Sequence, residues 1–432
     1  MLSNEVLKET ILSNEHFILK DLDYIVPREG ISFSEDLKKV NVLYGVRRSG
    51  KTYILFHVFK NNKASSMYID FEDERLAGFN LKDFEKLKDI FFEIKPELIG
   101  KKDSIFLFDE IHVVEGWEKF CRRLVEREGI KVFIAGSSSK IMPYEIHTSL
   151  RGRSWSIEIF PFSFREFITT KGLDINEKGL VYSSKKPLVK KYFLEYLKWG
   201  GFPEVTLASS NYEKRKILNE YIGAMYFKDL VERYKIKNIN LLGTLWEKIF
   251  SSFSKKLSLT AFYKQFKDKL PFSKETLYSY YNHFIESCLA FEVKKFSDSE
   301  YVRMRNPSKL YLIDTGLSRK VKSEDNGRLL ENLVFLELKR RNVEMFYFQE
   351  QNECDFIVKE NENLSAFQVT WELNENNKER ELNGLLEACK QLKSDKGVIL
   401  TYDYEDELKL EGIKIDISPV WKWLIIYHSF FK

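Results

Sequence analysis

The stretch Gly45-Val46-Arg47-Arg48-Ser49-Gly50-Lys51-Thr52 fits the pattern G-x-x-x-x-G-K-[ST]. Each residue type has a reason to be there. The glycines let a tight loop wrap its backbone N–H groups around phosphate oxygens, the Lys51 ammonium reaches the β- and γ-phosphates, and the Thr52 hydroxyl ligates Mg²⁺. Residues 39–44 read as a short buried strand before the loop and residues 53–60 as a helix after it. The loop then lies at a helix N-terminus, whose partial positive charge favours anions. The chemistry implied is binding of a nucleoside triphosphate, ATP with Mg²⁺. Arg47 and Arg48 add charge at the variable positions, facing nucleotide, a neighbouring copy or solvent. Taken alone, the pattern also suits a plain glycine turn between a strand and a helix.

A second group strengthens the first. In Ser104-Ile-Phe-Leu-Phe-Asp109-Glu110 an apolar run makes a central strand and two carboxylates stand at its C-terminal end. Ligands of open α/β sheets bind at that end. Asp109 is suited to hold the Mg²⁺ hydration shell and Glu110 to polarise an attacking water. Trp117, Phe120, Cys121, Leu124 and Val125 recur at helical spacing, and Lys131 to Ala135 read as a further buried strand. After that strand, Ser137 reads either as a sensor of the γ-phosphate or as a helix N-cap. In Leu150-Arg151-Gly152-Arg153, Arg153 in particular reads either as an arginine finger entering a neighbouring copy's site or as a surface ion-pair residue.

The elements that position these groups belong to a long chain. At 432 residues, 44% hydrophobic and 15% aromatic, two or three domains are expected. The longest apolar runs fall far short of a membrane span, and the first turns lack the basic-then-apolar pattern of a signal peptide. A soluble, cytoplasmic protein without membrane contact is expected. Cys121, Cys288, Cys354 and Cys389 are scattered without metal-ligand spacing, so they read as small core residues. The formal net charge is +4, but residues 238–309 hold 12 Lys/Arg against 7 Asp/Glu. That segment reads as three helices (Thr244 to Ser254, Leu259 to Lys267, Lys274 to Cys288) and a hairpin of Ala290 to Phe296 with Tyr301 to Arg305. This is a winged-helix pattern. Lys274, Tyr278, Tyr280 and Tyr281 near its third helix suit phosphate contact and groove entry. Double-stranded DNA and another protein both remain open as its partner.

The motifs together resemble a family: the archaeal and bacterial AAA-type ATPases, related to the Orc/Cdc6 and STAND branches, that carry a C-terminal PD-(D/E)XK nuclease-like domain. The resemblance rests on GVRRSGKT, YIDFEDERL, FLFDEIHVVEGWE, IAGSSSK, LRGR, PFSFREF, GGFPEV, YLIDTGL, ENLVFLEL, ECDFIV and AFQVTWEL, and it spans nearly the whole chain. It implies an α/β fold with a P-loop ATPase core of the AAA+ type in residues 1–160. A helical lid (161–237), a winged helix (238–310) and a nuclease-like α/β domain (311–432) would follow. In the last, Glu331 and Asp355 match metal-binding acids, while Gln368 and Thr370 stand where a second acid and a lysine are required. Gln brings no carboxylate charge and Thr no ammonium, so a nuclease-like fold without cleavage activity is expected. The function implied is Mg²⁺-dependent binding and hydrolysis of ATP that switches the winged helix and nuclease-like region, in a chain that can form homo-oligomers. Two alternatives stand beside it: a slow nucleotide-dependent signalling or scaffold switch gated by a protein partner, and an ATP-dependent DNA-cleaving enzyme.

Overall fold

The computed structural model describes residues 2–22, 25–34, 37–136, 141–175, 179–182, 184–320 and 325–426. It divides into two compact units, Met1–Phe160 and Pro161–Lys432.

The first unit is a five-stranded sheet between helices. Its strands are β1 (Val40–Tyr44), β2 (Ser66–Asp70), β3 (Ile105–Asp109), β4 (Lys131–Ala135) and β5 (Ser154–Glu158), and its helices are α1 (Asn4–His16), α2 (Lys51–Asn61), α3 (Asp83–Ile94), α4 (Trp117–Arg123) and α5 (Pro143–Ser149). The strand order is β2-β3-β4-β1-β5, and every pair is parallel. Parallel strands need crossovers, which cover both faces, so the strands read as unbroken apolar runs. Val40, Val42, Phe106, Phe108, Val132 and Ile134 face one core with Leu7, Leu87 and Trp117. Leu43, Leu107 and Phe133 face the other, with Ile54, Leu55 and Phe59 of α2. Because the strands run parallel, the C-terminal ends of β1, β3 and β4 lie along one edge.

The second unit begins with helices α6 (Phe164–Thr170), α7 (Lys186–Trp199), α8 (Pro203–Leu207) and α9 (Asn211–Ala224). Next come α10 (Ile239–Ser251), β6 (Lys255–Leu257), α11 (Leu259–Phe266), α12 (Lys274–Glu286), β7 (Ala290–Val293), α13 (Glu300–Arg305) and β8 (Ser308–Leu312). Strands β6, β8 and β7 form a small antiparallel sheet in that order. The hairpin expected from Tyr301 to Arg305 is corrected here: that segment is helix α13, and the returning strand is β8. The alternation of Tyr301-Val-Arg-Met-Arg305 suggested a strand, but none of α13's residues is buried, and Ser299 caps the helix by accepting from Val302 N. Tyr280 and Tyr281 are also corrected. They are buried core residues, Tyr280 Oη accepting from Asn238 N at 3.1 Å and Tyr281 Oη donating to Glu292 at 2.8 Å.

The chain closes with α14 (Asn326–Arg340), β9 (Glu344–Gln349), β10 (Glu353–Glu360), β11 (Asn363–Val369), α15 (Lys378–Leu392), β12 (Lys396–Thr401), β13 (Asp406–Leu410), β14 (Ile413–Pro419) and α16 (Val420–Ile426). The sheet order is β13-β14-β12-β11-β10-β9, with β11-β12 and β12-β14 parallel. Helix α15 packs Leu382, Leu385 and Cys389 on its apolar face.

Three of the quoted motifs meet around one carboxylate. Asp314 Oδ2 accepts from Gly201 N at 2.7 Å and its Oδ1 from Gly316 N at 2.8 Å, while Phe162 N donates to Gly201 O at 2.7 Å. A Cβ on Gly200 would lie 1.7 Å from Asp314 Oδ1. Burial pushes the Asp314 carboxyl up to about 7, against the two backbone donors. The GGFP, PFSF and DTGL segments are therefore a structural knot. Among the described residues no helix is long and apolar enough to cross a membrane, and the four cysteines are free and buried.

Candidate nucleotide site

Strand β1 ends at Tyr44 and the chain turns at once. Gly45 has φ +137°, and a Cβ there would lie 2.4 Å from Ile159 O, so no other residue fits. Gly50, at φ +95°, opens α2, and no side chain caps that helix. Uncapped first-turn N–H groups at a helix N-terminus suit an anion. Ser49 is fully buried, and its hydroxyl has no hydrogen-bond partner among the described residues. The loop is pinned from outside by Arg28, whose Nη1 donates to Ser49 O at 2.9 Å and whose Nη2 donates to Phe160 O at 2.5 Å. Val46 is buried, Arg47 half-buried and Arg48 exposed with φ +67°.

Lys51 is buried, and its ammonium donates to Gly45 O at 3.1 Å and Val46 O at 3.0 Å. The cation thus lies under the loop, where incoming phosphate oxygens can replace the two carbonyls as acceptors. Thr52, one residue on, donates to Asp109 Oδ2 across 2.5 Å. Strand β4 stands between β1 and β3, so this bond spans its end.

Asp109 is almost fully buried and also accepts from Tyr68 Oη at 3.3 Å. Burial raises its carboxyl to about 7; the Thr52 hydroxyl pulls down, Glu110 and Asp70 push up, and Lys51 pulls down. Asp70 ends β2 in register with Asp109 and is itself raised, chiefly by burial. A buried acid beside two more acids and a hydroxyl fits a divalent cation, which would relieve the repulsion. Asp109 and Thr52 are the groups that would hold one. Among the described residues no three His, Cys, Asp or Glu side chains are placed to share an ion, so water and phosphate oxygens would complete its shell.

Glu110 follows in the left-handed region, φ +47°, with its N–H donating to Ala135 O at 2.9 Å. Such a conformation costs a bulky residue about 1 kcal/mol or more. Here it turns the carboxylate across the sheet edge. Glu110 Oε2 lies 3.1 Å from His112 Nδ1, and a Cβ on Gly136 would come 3.0 Å from it. The acid is thereby aimed at the end of β4.

The structure thus brings Gly45 to Thr52, Asp109 and Glu110 to one edge. Ser137 lies outside the described residues. Arg153 is elsewhere: its carbonyl accepts from Val40 N at the opposite end of β1, about 13 Å away at the usual rise per strand residue. Its guanidinium pairs with Glu126 at 2.7 Å. Arg28, Tyr68 and His112 were not singled out by sequence. Asp70 at the end of a parallel strand was the readable signal, whereas Arg28 sits in a segment without periodicity.

Residues 37–168 match an AAA domain, and residues 190–327 and 326–423 match two domains of unknown function, DUF8612 and DUF4143. The uncharacterized protein MJ1544 of Methanocaldococcus jannaschii is 38% identical over 435 residues, covering 96% of this chain and 95% of that one. An uncharacterized protein of Haemophilus influenzae is 27% identical over 400 residues, 90% of this chain and 95% of its own. A Walker-type ATPase of Pyrococcus abyssi is among the similar solved structures, at 13% identity and TM-score 0.40, with 74% of this chain and 95% of that one covered. With this identity along its full length, the chain belongs to the family of the M. jannaschii protein, and its residues 37–168 carry the match to an AAA domain.

Proposed function

We propose that the chain binds ATP with Mg²⁺ at Gly45 to Thr52 and hydrolyses it, and that nucleotide state switches the second unit. The observation that carries this reading is the 2.5 Å bond between Thr52 and Asp109. It joins the loop that would hold phosphate to the acid that would hold the metal. Bound Mg²⁺ would neutralise charge on the β- and γ-phosphates. Lys51 would exchange its two carbonyl acceptors for phosphate oxygens. Glu110 would accept a proton from a water whose oxygen bonds the γ-phosphorus, as the bond to the β–γ bridging oxygen breaks to release ADP and phosphate. Loop N–H groups and the α2 N-terminus would stabilise the departing charge. A role for Arg153 would be in a neighbouring copy, since its own loop lies across the sheet, and Ser137 would serve as the sensor of the γ-phosphate. ATP turnover in wild type, absent in Lys51→Ala, tests the assignment.

The α10-β6-α11-α12-β7-α13-β8 succession, with sheet order β6-β8-β7 and the short helix α13 in the wing, supports a winged helix. Lys264, Lys267, Lys269 and Lys274, all exposed, favour duplex DNA as its partner. Coupling requires ATP to bind one arrangement of the chain better than another. DNA-stimulated turnover supports the switch; stimulation only by a protein favours the scaffold reading.

A further inference from the structure

Lys309 is the second residue of β8, the central strand of its small sheet, between Lys256 of β6 and Val293 of β7, and its side chain is 3% exposed. A lysine is almost never buried so deeply unless its charge is met. Here it is met three times. The ammonium carries three N–H donors, and three carboxylate oxygens surround it: Asp355 Oδ1 at 2.8 Å, Glu353 Oε1 at 2.8 Å and Glu331 Oε1 at 3.1 Å. The acids come from β10 and α14, so a single side chain ties three elements together.

Most of the remaining acceptor capacity is used as well. Asp355 Oδ2 accepts from Val369 N at 2.9 Å, Glu353 Oε2 from Lys256 Nζ at 2.6 Å, and Glu331 Oε1 also from Tyr311 Oη at 2.7 Å. Burial works against the Lys309 charge, yet Asp355, Glu331, Tyr311 and Glu353 override it and raise its pKa well above the ordinary value. Gln368, at the neighbouring strand, does not supply a further carboxylate. Its Oε1 accepts from Asp355 N at 3.2 Å and its Nε2 donates to Glu381 at 2.5 Å.

Such a cage of acids is where a nuclease-like domain would hold a divalent cation, and this one does not fit an ion as it stands. A dication among these acids would meet an ammonium within a few ångströms and find the inner oxygens already engaged. We propose that Lys309 is a built-in counter-ion: it occupies the place of a divalent cation among Glu331, Glu353 and Asp355, and the cage is a latent metal site kept shut by the lysine. Ammonium–oxygen distances of 2.8 to 3.1 Å exceed the ~2.3–2.6 Å of Ca²⁺ ligands by about 0.2–0.8 Å, so side-chain shifts of that size would close the cage on an ion once the ammonium is gone. This assignment is independent of the nucleotide reading.

The test uses full-length protein without nucleotide, titrated with Mn²⁺ and followed by electron paramagnetic resonance and by thermal unfolding. Lys309→Met should gain a Mn²⁺ site at least tenfold tighter than any in wild type, lost again in Lys309→Met/Asp355→Asn. Mn²⁺ should raise the Tm of Lys309→Met by several degrees and leave that of wild type unchanged, a readout that survives even if the variant is largely unfolded without metal. In wild type, ¹⁵N spectra of lysine ammonium groups should show, at pH 8, a slowly exchanging signal that Lys309→Met removes and that Mn²⁺ does not broaden. A wild-type Mn²⁺ site abolished by Asp355→Asn, broadening of that signal, or a Lys309→Met protein with neither binding nor a Tm response would overturn the proposal.

Discussion

The Thr52 hydroxyl donates to Asp109 Oδ2 across 2.5 Å, and this bond closes the two proposed metal ligands on each other inside a buried pocket of acids. Because burial holds the Asp109 carboxyl at about 7, with its ordinary value at 3.8, a proton would compete with Mg²⁺ there. Affinity for MgATP should rise roughly tenfold between about pH 6 and pH 7.5 and then level off. Calorimetry in buffers of different ionisation enthalpy should find close to one proton released at the lower pH. Asp109→Asn should flatten the profile; a flat wild-type profile would argue against Asp109 as the metal's partner.

The same shift has a stability consequence of opposite sense. The folded state binds the Asp109 proton more tightly than the unfolded chain, so its contribution is fully present below about pH 4 and is lost as pH rises toward 7. Without ligand, Asp109→Asn should therefore be more stable than wild type at pH 7.5 by about 1–3 kcal/mol, and little different at pH 4. Urea unfolding at the two pH values reads this directly, and a destabilised variant at pH 7.5 would count against it.

Gly45 and Gly78 both have positive φ but differ in surroundings. A Cβ on Gly45 would strike Ile159 O at 2.4 Å, whereas one on Gly78 meets nothing within 4 Å. Gly78→Ala should cost about 1 kcal/mol for the backbone alone, and Gly45→Ala about 3 kcal/mol or more with loss of nucleotide binding. Equal costs in denaturant melts would refute the close-packed turn.

For the second unit, replacing Lys267, Lys269 and Lys274 by alanine should weaken duplex DNA binding across sequences. The slope of log K against log salt should fall by about one for each phosphate contact removed. An unchanged slope would separate these exposed lysines from any nucleic-acid surface.

Much of the first unit was legible because its strands are buried on both faces. Ile105 to Phe108 and Val132 to Ala135 are runs that only a covered strand needs, and the glycine and hydroxyl positions around Lys51 carry their geometry in their residue types. Strand β5, Ser-Trp-Ser-Ile-Glu, has no such run because it is a half-exposed edge, and it was not anticipated. Helix α13 imitates strand alternation without a sheet to bury one face. Lys309 is silent in the sequence for a different reason. It stands 46 residues before Asp355, and only tertiary structure brings a lysine of one sheet to the acids of another.

The central claim, that the first unit hydrolyses the nucleotide it binds, rests on Glu110, aimed along the sheet edge by its left-handed backbone and lying beside His112. The decisive measurement is single-turnover ATP hydrolysis by Glu110→Gln alongside equilibrium ATP binding. The account predicts near-wild-type binding with hydrolysis slowed about 10²–10⁴-fold; turnover at the wild-type rate would remove Glu110 from the chemistry and contradict it.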